Sequence, residues 1–223
     1  MRLFFIHGFG ELPTVFDYIA PHLSGEKIFI NVWDELSDVS VADLINVQTF
    51  AQQLIGKYQI TANDAVIGHS MGGWIAAYIK QHVGSKAILI ASLTNQKKII
   101  VPTHSLSAMR FLHYNGLYIN GLSKKLFSLL VYRKRPSRAF FEETLDRLVS
   151  APKDEVYKQI RNLFEPVPAL SIVPDIRIHA KADMVLSLPD EPYHLVPGDH
   201  FTLVTDPETV WKPIIETLAK PTL

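Results

Sequence analysis

The sequence of 223 residues contains no cysteine. Disulfide bonds, thiolate catalysis and cysteine-ligated zinc sites are therefore excluded, whatever the compartment in which the protein works. The sequence also lacks an apolar run of about 18 residues, the length that indicates a membrane-spanning helix. The apolar run at residues 3–6 is too short for the core of a signal peptide and instead predicts a strand. From these absences we expect a cytoplasmic protein.

The chain has no excess of either charge, because 22 Lys and Arg residues balance 22 Asp and Glu residues. This balance conceals a division along the sequence. Residues 94–168 contain 13 basic and 6 acidic residues, a net charge of +7, and the rest of the chain has a net charge of −7. Such a division suggests a basic insertion on an acidic body. Since the basic residues are dispersed and accompany no nucleic-acid-binding motif, we expect no nucleic-acid partner.

Short apolar runs rich in strand-forming residues alternate with amphipathic stretches through most of the sequence. This alternation predicts an α/β protein with a short, mostly parallel sheet of about six strands and helices on both faces. A length of 223 residues is enough for one sizeable core. The strands are predicted at residues 3–7, 28–33, 65–68, 87–92, 176–180 and 193–196.

Helical spacing of apolar residues predicts where two of the helices lie. Residues 16–23 follow this spacing, with Thr14 and Asp17 as a capping pair. Residues 44–55 repeat the pattern, and Ser40 is the expected cap of this second helix.

The stretch from residue 94 to residue 173 contains no convincing strand and predicts three or four helices, two of them beginning near Ser137 and Pro152. It is far longer than a crossover between two parallel strands requires. We interpret it as a helical cap over the C-terminal edge of the sheet, where open α/β sheets bind ligands. The core would then comprise residues 1–93 and 174–223.

The clearest chemical signature is Gly68-His69-Ser70-Met71-Gly72, which fits the G-x-S-x-G pattern of a nucleophile elbow. An apolar predicted strand precedes it, and a helix rich in small residues follows it. A serine on so sharp a turn exposes its oxygen, and small neighbours leave room for the bend. We therefore predict that Ser70 is a catalytic nucleophile. The alternative is a tight glycine turn that carries an exposed serine.

A second glycine turn, His7-Gly8-Phe9-Gly10, ends the first predicted strand. Glycine there lets the backbone approach a substrate oxygen, so the amides of Phe9 and Met71 are predicted to form an oxyanion hole. The alternative is a turn that needs glycine for its geometry alone. His7 and His69 are interpreted as structural residues.

A serine alcohol needs a base within hydrogen-bond reach, and the base needs a third group that fixes its tautomer. Of the nine histidines, His200 is the predicted base, because it follows the last strand in a loop that returns to the C-terminal edge of the sheet. Asp183, in the turn after the strand at 176–180, is the predicted acid. Asp199 remains the competing candidate. The order Ser70, Asp183, His200 is typical of hydrolases built on an α/β sheet.

With these residues in this order, the sequence resembles the α/β-hydrolase superfamily over essentially its whole length. It is most similar to small capped carboxylesterases, including those that cleave pimeloyl-carrier-protein methyl esters. The resemblance implies an α/β-hydrolase fold that hydrolyses an ester or thioester of a small to medium acyl substrate through an acyl-enzyme, with no metal or cofactor. The superfamily also contains lyases, C–C hydrolases and inactive ligand receptors, so these alternatives stay open.

The basic residues of the 94–168 segment allow two interpretations. They include Lys124, Lys125, Arg138 and the cluster Arg133-Lys134-Arg135. They are either a solvated outer face that complements an acidic body, or a docking site for an anionic carrier of the acyl group, such as coenzyme A or an acyl carrier protein.

Overall fold

A computed structural model describes residues 1–43, 46–130 and 132–220 of the chain. Within them, six strands form one parallel sheet in the order β2-β1-β3-β4-β5-β6, which confirms the predicted architecture. The strands are β1 (Arg2–Ile6), β2 (Glu26–Ile30), β3 (Ala65–His69), β4 (Lys86–Ile90), β5 (Ile176–Ala180) and β6 (His194–Val196).

Helices cover both faces of this sheet, as expected for parallel strands. In chain order they are α1 (Val32–Ser37), α2 (Val47–Tyr58), α3 (Met71–Val83), α4 (Leu106–Tyr114), α5 (Gly121–Leu130), α6 (Arg138–Ser150), α7 (Lys153–Phe164), α8 (Thr202–Thr205) and α9 (Glu208–Leu218). No helix in the described ranges is both long enough and apolar enough to cross a bilayer.

Alternate residues of β1 belong to two different apolar clusters, one on each face of the sheet. Phe4 and Ile6 pack in the cluster that contains α2 and α3. Leu3 and Phe5 pack in the cluster that contains α9. This period of two is what a strand buried on both faces requires. The parallel pairing of β1 with β3 places the C-terminal ends of these two strands side by side.

The predicted helix over residues 16–23 is wrong. The structure has two short 3₁₀ turns there, Pro13–Phe16 and Ala20–His22. Pro21 is the physical reason, because its ring blocks the preceding helical turn and it has no N–H to donate.

The cap predicted for the second helix is also wrong. Helix α2 begins at Val47, and Asn46 caps it by accepting a 2.9 Å hydrogen bond from Thr49 N. Ser40 instead accepts a hydrogen bond from Ala42 N in the preceding turn. Leu44, the first apolar position of that predicted helix, lies outside the described residues.

The helical segment, defined here as residues 94–173 between β4 and β5, contains helices α4 to α7 and no β-strand among its described residues. Helix α4 packs on α7, and α5 packs on α6. Helix α7 also contacts α1 and α2, so one side of the segment is anchored to the body of the protein. The proposed division into a core and a cap remains a prediction, and its last positions, residues 221–223, lie outside the described ranges.

Candidate active site

Ser70 occupies the sharp turn between β3 and α3. Its backbone has φ 52° and ψ −120°, in a region that serine rarely adopts. Two hydrogen bonds hold this strained conformation: Ser70 N donates to Ile90 O at 3.0 Å, and Ser92 Oγ donates to Ser70 O at 2.6 Å. The end of β4 and the turn after it therefore hold the serine in its strained conformation.

The glycines of this turn are required by close approach of the backbone. A Cβ atom on Gly72 would lie 1.8 Å from Ile6 O, and one on Gly68 would lie 2.2 Å from the backbone of Gly72. A Cβ atom on Gly8 would lie 2.8 Å from Ser70 Cβ. The turn after β1 therefore lies directly against the predicted nucleophile.

Three predicted catalytic side chains form a continuous hydrogen-bonded chain. Ser70 Oγ lies 3.0 Å from His200 Nε2, and His200 Nδ1 lies 2.8 Å from Asp183 Oδ2. The second carboxylate oxygen of Asp183 accepts hydrogen bonds from the amides of Val185 at 2.8 Å and Leu186 at 3.0 Å. Since a carboxylate accepts, His200 carries its proton on Nδ1, and Nε2 is left to accept the serine proton.

The charges of Asp183 and His200 are coupled. Burial opposes protonation of His200, but the Asp183 carboxylate outweighs it and raises the pKa of His200 above the usual value. Burial alone would raise the pKa of Asp183, and His200 instead holds it below its usual range. His179 is buried 3.9 Å from the same carboxylate, and burial lowers its pKa. The resulting field favours an ionised Asp183 beside His200.

The competing acid, Asp199, makes other contacts. Its Oδ1 accepts a hydrogen bond from Phe201 N at 3.1 Å, and its Oδ2 accepts one from Ser137 Oγ at 2.7 Å. Ser137, expected to cap a helix, precedes α6 but makes no side-chain cap bond to it. Asp199 therefore connects the helical segment to the loop that carries His200.

The two predicted oxyanion donors have their amides available. Within the described ranges, neither Phe9 N nor Met71 N donates a hydrogen bond to another group of the protein. The amides on either side of Phe9 are engaged, since Gly8 N donates to Glu11 at 2.7 Å and Gly10 N donates to Gln159 at 3.0 Å. A substrate oxygen beside Ser70 could therefore be bound by main-chain donors.

Two residues near the site were missed by the sequence analysis. Glu11 is 2% exposed, and its carboxylate lies 2.8 Å from the ring of His69. Tyr132 is 1% exposed, and its hydroxyl has no hydrogen-bond partner among the described groups. The only sequence signal for Glu11 was its position directly after the His7–Gly10 turn, and Tyr132 had no signal.

A cavity of about 330 Å³ opens at Ser70 and His200. Glu11, Tyr132 and Lys124 contribute polar groups to its wall. Most of the wall is apolar and comes from the helical segment and the loops that follow β4 and β5. Representative apolar lining residues are Leu93, Ile99, Phe141, Leu148, Leu163 and Phe164.

One described group of side chains has donor atoms close enough to share a metal ion. Atoms of Glu11, His69 and His200 lie within 4.8 Å of one another. However, both ring nitrogens of His69 are hydrogen-bonded, one to Glu11 and one to the His200 carbonyl, each at 2.8 Å. The geometry therefore fits a hydrogen-bonded network better than a metal site, because a metal needs a free imidazole lone pair.

Comparison with known proteins places this geometry in context. The chain superposes on a hydrolase from Oleispira antarctica with a TM-score of 0.72 and 15% identity, covering 99% of this chain and 91% of the other. An enol-lactonase from Burkholderia xenovorans gives a TM-score of 0.68 and 10% identity, with 98% and 91% covered. MenH from S. aureus gives a TM-score of 0.66 and 16% identity, covering 98% of this chain and 93% of the other. At these identities the similarity shows a shared fold. No curated protein matches the sequence.

The family assignment comes from the sequence itself. Residues 3–220 match the alpha/beta hydrolase family, a range that extends from β1 to the end of α9. The α/β-hydrolase fold that the sequence resemblance implied is thereby confirmed, and this chain belongs to the alpha/beta hydrolase family.

Proposed function

We propose that the protein is a serine hydrolase that cleaves a carboxylic ester or thioester of a small to medium acyl substrate. The observation that carries this proposal is the hydrogen-bonded chain Ser70–His200–Asp183 at the wall of a mostly apolar cavity. Membership of the alpha/beta hydrolase family supports it. The resemblance to small capped carboxylesterases supports the finer choice of an acyl ester.

In the proposed reaction, Ser70 Oγ attacks the carbonyl carbon while His200 Nε2 takes the serine proton. Asp183 holds the imidazole in the required tautomer and stabilises the imidazolium. The amides of Phe9 and Met71 bind the oxyanion, and each such donor is typically worth about 3 kcal/mol of barrier. His200 returns the proton to the leaving alcohol or thiol, and a water molecule then hydrolyses the acyl-enzyme by the same steps.

The cavity supports an apolar acyl group of limited size. Its volume of about 330 Å³ is near the lower end of ligand pockets, which span roughly 300–1,000 Å³. Its mostly apolar wall favours an alkyl or aryl chain over a polyol or a phosphate group.

The proposal is tested with p-nitrophenyl esters and matching thioesters of increasing chain length, and the S70A variant is the control. We expect turnover by the wild type to rise and then fall with chain length, and turnover by S70A to fall by several orders of magnitude. Retention by S70A of more than about a tenth of the activity would refute the assignment of the nucleophile. Reaction with a fluorophosphonate probe without turnover of any ester would favour a C–C hydrolase or lyase, and failure to react with the probe would favour a ligand-binding protein.

A further inference from the structure

A buried carboxylate–imidazole pair lies directly beneath the candidate active site. Glu11 follows the β1 turn, and His69 immediately precedes Ser70. The side chains of Glu11 and His69 are 2% and 0% exposed. Glu11 Oε2 lies 2.8 Å from His69 Nδ1 and accepts a 2.7 Å hydrogen bond from Gly8 N. The second ring nitrogen, Nε2, lies 2.8 Å from the main-chain carbonyl of His200.

The donors and acceptors around this pair determine its protonation. A main-chain carbonyl can only accept, so His69 Nε2 must carry a proton. Burial alone would raise the pKa of Glu11, but His69 outweighs burial and holds that pKa below its usual value. The 2.8 Å contact between His69 Nδ1 and Glu11 Oε2 is then the second buried hydrogen bond of this imidazole.

We propose that Glu11 and His69 are positioning residues that form a buried hydrogen-bonded pair between the predicted oxyanion donor and the predicted base. Glu11 holds the turn that carries the Phe9 amide, and His69 holds the main chain of His200. Three hydrogen bonds of 2.7, 2.8 and 2.8 Å make this connection. The inference rests on the proposed function, because the turn and the loop act together only if Ser70 becomes acylated.

The carboxyl group of Glu11 is essential to the connection. A neutral imidazole has one N–H, which the His200 carbonyl takes, and one acceptor nitrogen, Nδ1. The amide of E11Q must therefore either turn its NH2 group toward Nδ1 and leave Gly8 N without an acceptor, or keep the Gly8 contact and place its oxygen against the lone pair of Nδ1. Displacing a catalytic group by about 1 Å can cost roughly 100-fold in rate.

The rate at which Ser70 reacts with a fluorophosphonate probe tests this pair without knowledge of the substrate, since the probe needs the same base and the same oxyanion donors. We expect E11Q and H69Q to react about 10- to 100-fold more slowly than the wild type, with unchanged circular dichroism. The matched control is E35Q, which neutralises a buried carboxylate on α1 that pairs with Lys57 of α2. This control should react at the wild-type rate. Reaction of E11Q within about twofold of the wild type would overturn the proposal, whereas an unreactive wild type would refute the proposed function instead.

Two further measurements keep the proposal testable if a variant does not fold or if its rate alone is ambiguous. In wild-type protein labelled with ¹⁵N-histidine, we expect Nε2 of His69 to carry a proton, because it faces the His200 carbonyl. Its signals can be assigned through the Phe201 ring, 5.6 Å away. An Nε2 without a proton would overturn the proposed contact between His69 and the His200 carbonyl. Burial lowers the pKa of His200, and Glu11 is one of the carboxylates that raise it, so E11Q should lower the pH midpoint of the probe reaction. An unchanged midpoint would show that Glu11 does not act on the base, which would overturn the proposal.

Discussion

Two carboxylates compete for the role of orienting His200, and their contacts separate them. Asp183 accepts from the imidazole at 2.8 Å, whereas Asp199 accepts from Phe201 N and Ser137 Oγ. We expect D183N to lower kcat by about 10⁴-fold with little change in KM, because an amide favours the wrong histidine tautomer. D199N should retain most of the activity and lose stability, by about 1–3 kcal/mol for the two buried contacts. Steady-state kinetics and urea denaturation of both variants would distinguish the two carboxylates. Wild-type activity of D183N would contradict the assignment of Asp183 as the acid.

The protonation of His200 sets the expected pH dependence. As the base, His200 must be neutral, and its pKa is raised above the usual value of about 6.5, because Asp183 outweighs burial. The value of kcat/KM should therefore rise with pH through a midpoint above about 6.5 and be lost below it. An NMR titration of the His200 ring in S70A and in S70A/D183N would check the cause, with the midpoint expected to fall when the carboxylate is removed. An unchanged midpoint would contradict the assigned partner.

The orphan hydroxyl of Tyr132 predicts that its removal does not destabilise the protein. It is buried in the cavity wall, has no partner among the described residues, and its ring stacks on Phe141 with centroids 3.7 Å apart. A buried hydroxyl without a hydrogen bond costs about 1–3 kcal/mol, so Y132F should be at least as stable as the wild type. If a substrate oxygen accepts a hydrogen bond from this hydroxyl, kcat/KM of Y132F should nevertheless be about tenfold lower than that of the wild type, the effect of one hydrogen bond. Thermal unfolding and ester kinetics measure both, and reduced stability of Y132F would mean that the hydroxyl has a partner in the protein.

Residues near local motifs could be predicted, whereas residues that depend on distant contacts could not. Ser70 was predicted from its flanking glycines, and His200 and Asp183 from their positions after strands. Their mutual contacts agree with that placement. Glu11 was missed because its role depends on His69, which is 58 positions away. Nothing in one sequence separates such a glutamate from a solvated one.

At the scale of elements, the junction of β3 and α3 tolerates no side chain at Gly72. Its Cβ would lie 1.8 Å from Ile6 O in β1, so G72A must separate the strand from the helix. We expect a loss of about 2–3 kcal/mol, as for other overpacked sites. The control is G56A in α2, where a Cβ has open space and alanine should add about 0.5–1 kcal/mol through helix propensity. Urea denaturation measures both, and equal changes would contradict this account of the turn.

The elements themselves were predicted with unequal success, for identifiable reasons. Strands were predicted well because β3 and β4 are buried on both faces and give continuous apolar runs. The helix expected over 16–23 was wrong because apolar spacing was given more weight than Pro21. The start of α2 was misplaced because Asn46 and Thr49 form the capping box there, a pattern weaker in sequence than Ser followed by Glu.

At the scale of the whole molecule, only part of the positive charge of the helical segment is paired within the segment. Lys124 pairs with Asp146, and Arg138 pairs with Glu142. Arg135 donates to the main-chain carbonyl of Ala182 at 2.8 Å, next to the predicted acid. Each ion pair joins one basic and one acidic residue, so these pairs leave the net charge of +7 unchanged. Lys125, Arg133 and Lys134 are exposed, and no ion pair involving them is found among the described residues.

If these exposed cations dock an anionic acyl carrier, the reaction should depend on salt in a substrate-specific way. Long-range attraction raises association rates and weakens as the Debye length shortens, which happens severalfold between about 20 and 300 mM salt. We expect kcat/KM for an acyl-coenzyme A thioester to fall over this range, while a neutral ester of the same acyl chain changes little. R133E/K134E should reproduce that fall at low salt.

Arg135 is left intact in this test, because its substitution would also disturb the turn of Asp183. The control K212E/K220E makes the same charge change on α9 and just after its end, and it should leave the thioester reaction unchanged. Equal salt responses for both substrates would show that the basic residues are a solvated face, and the proposed substrates would then be small neutral esters.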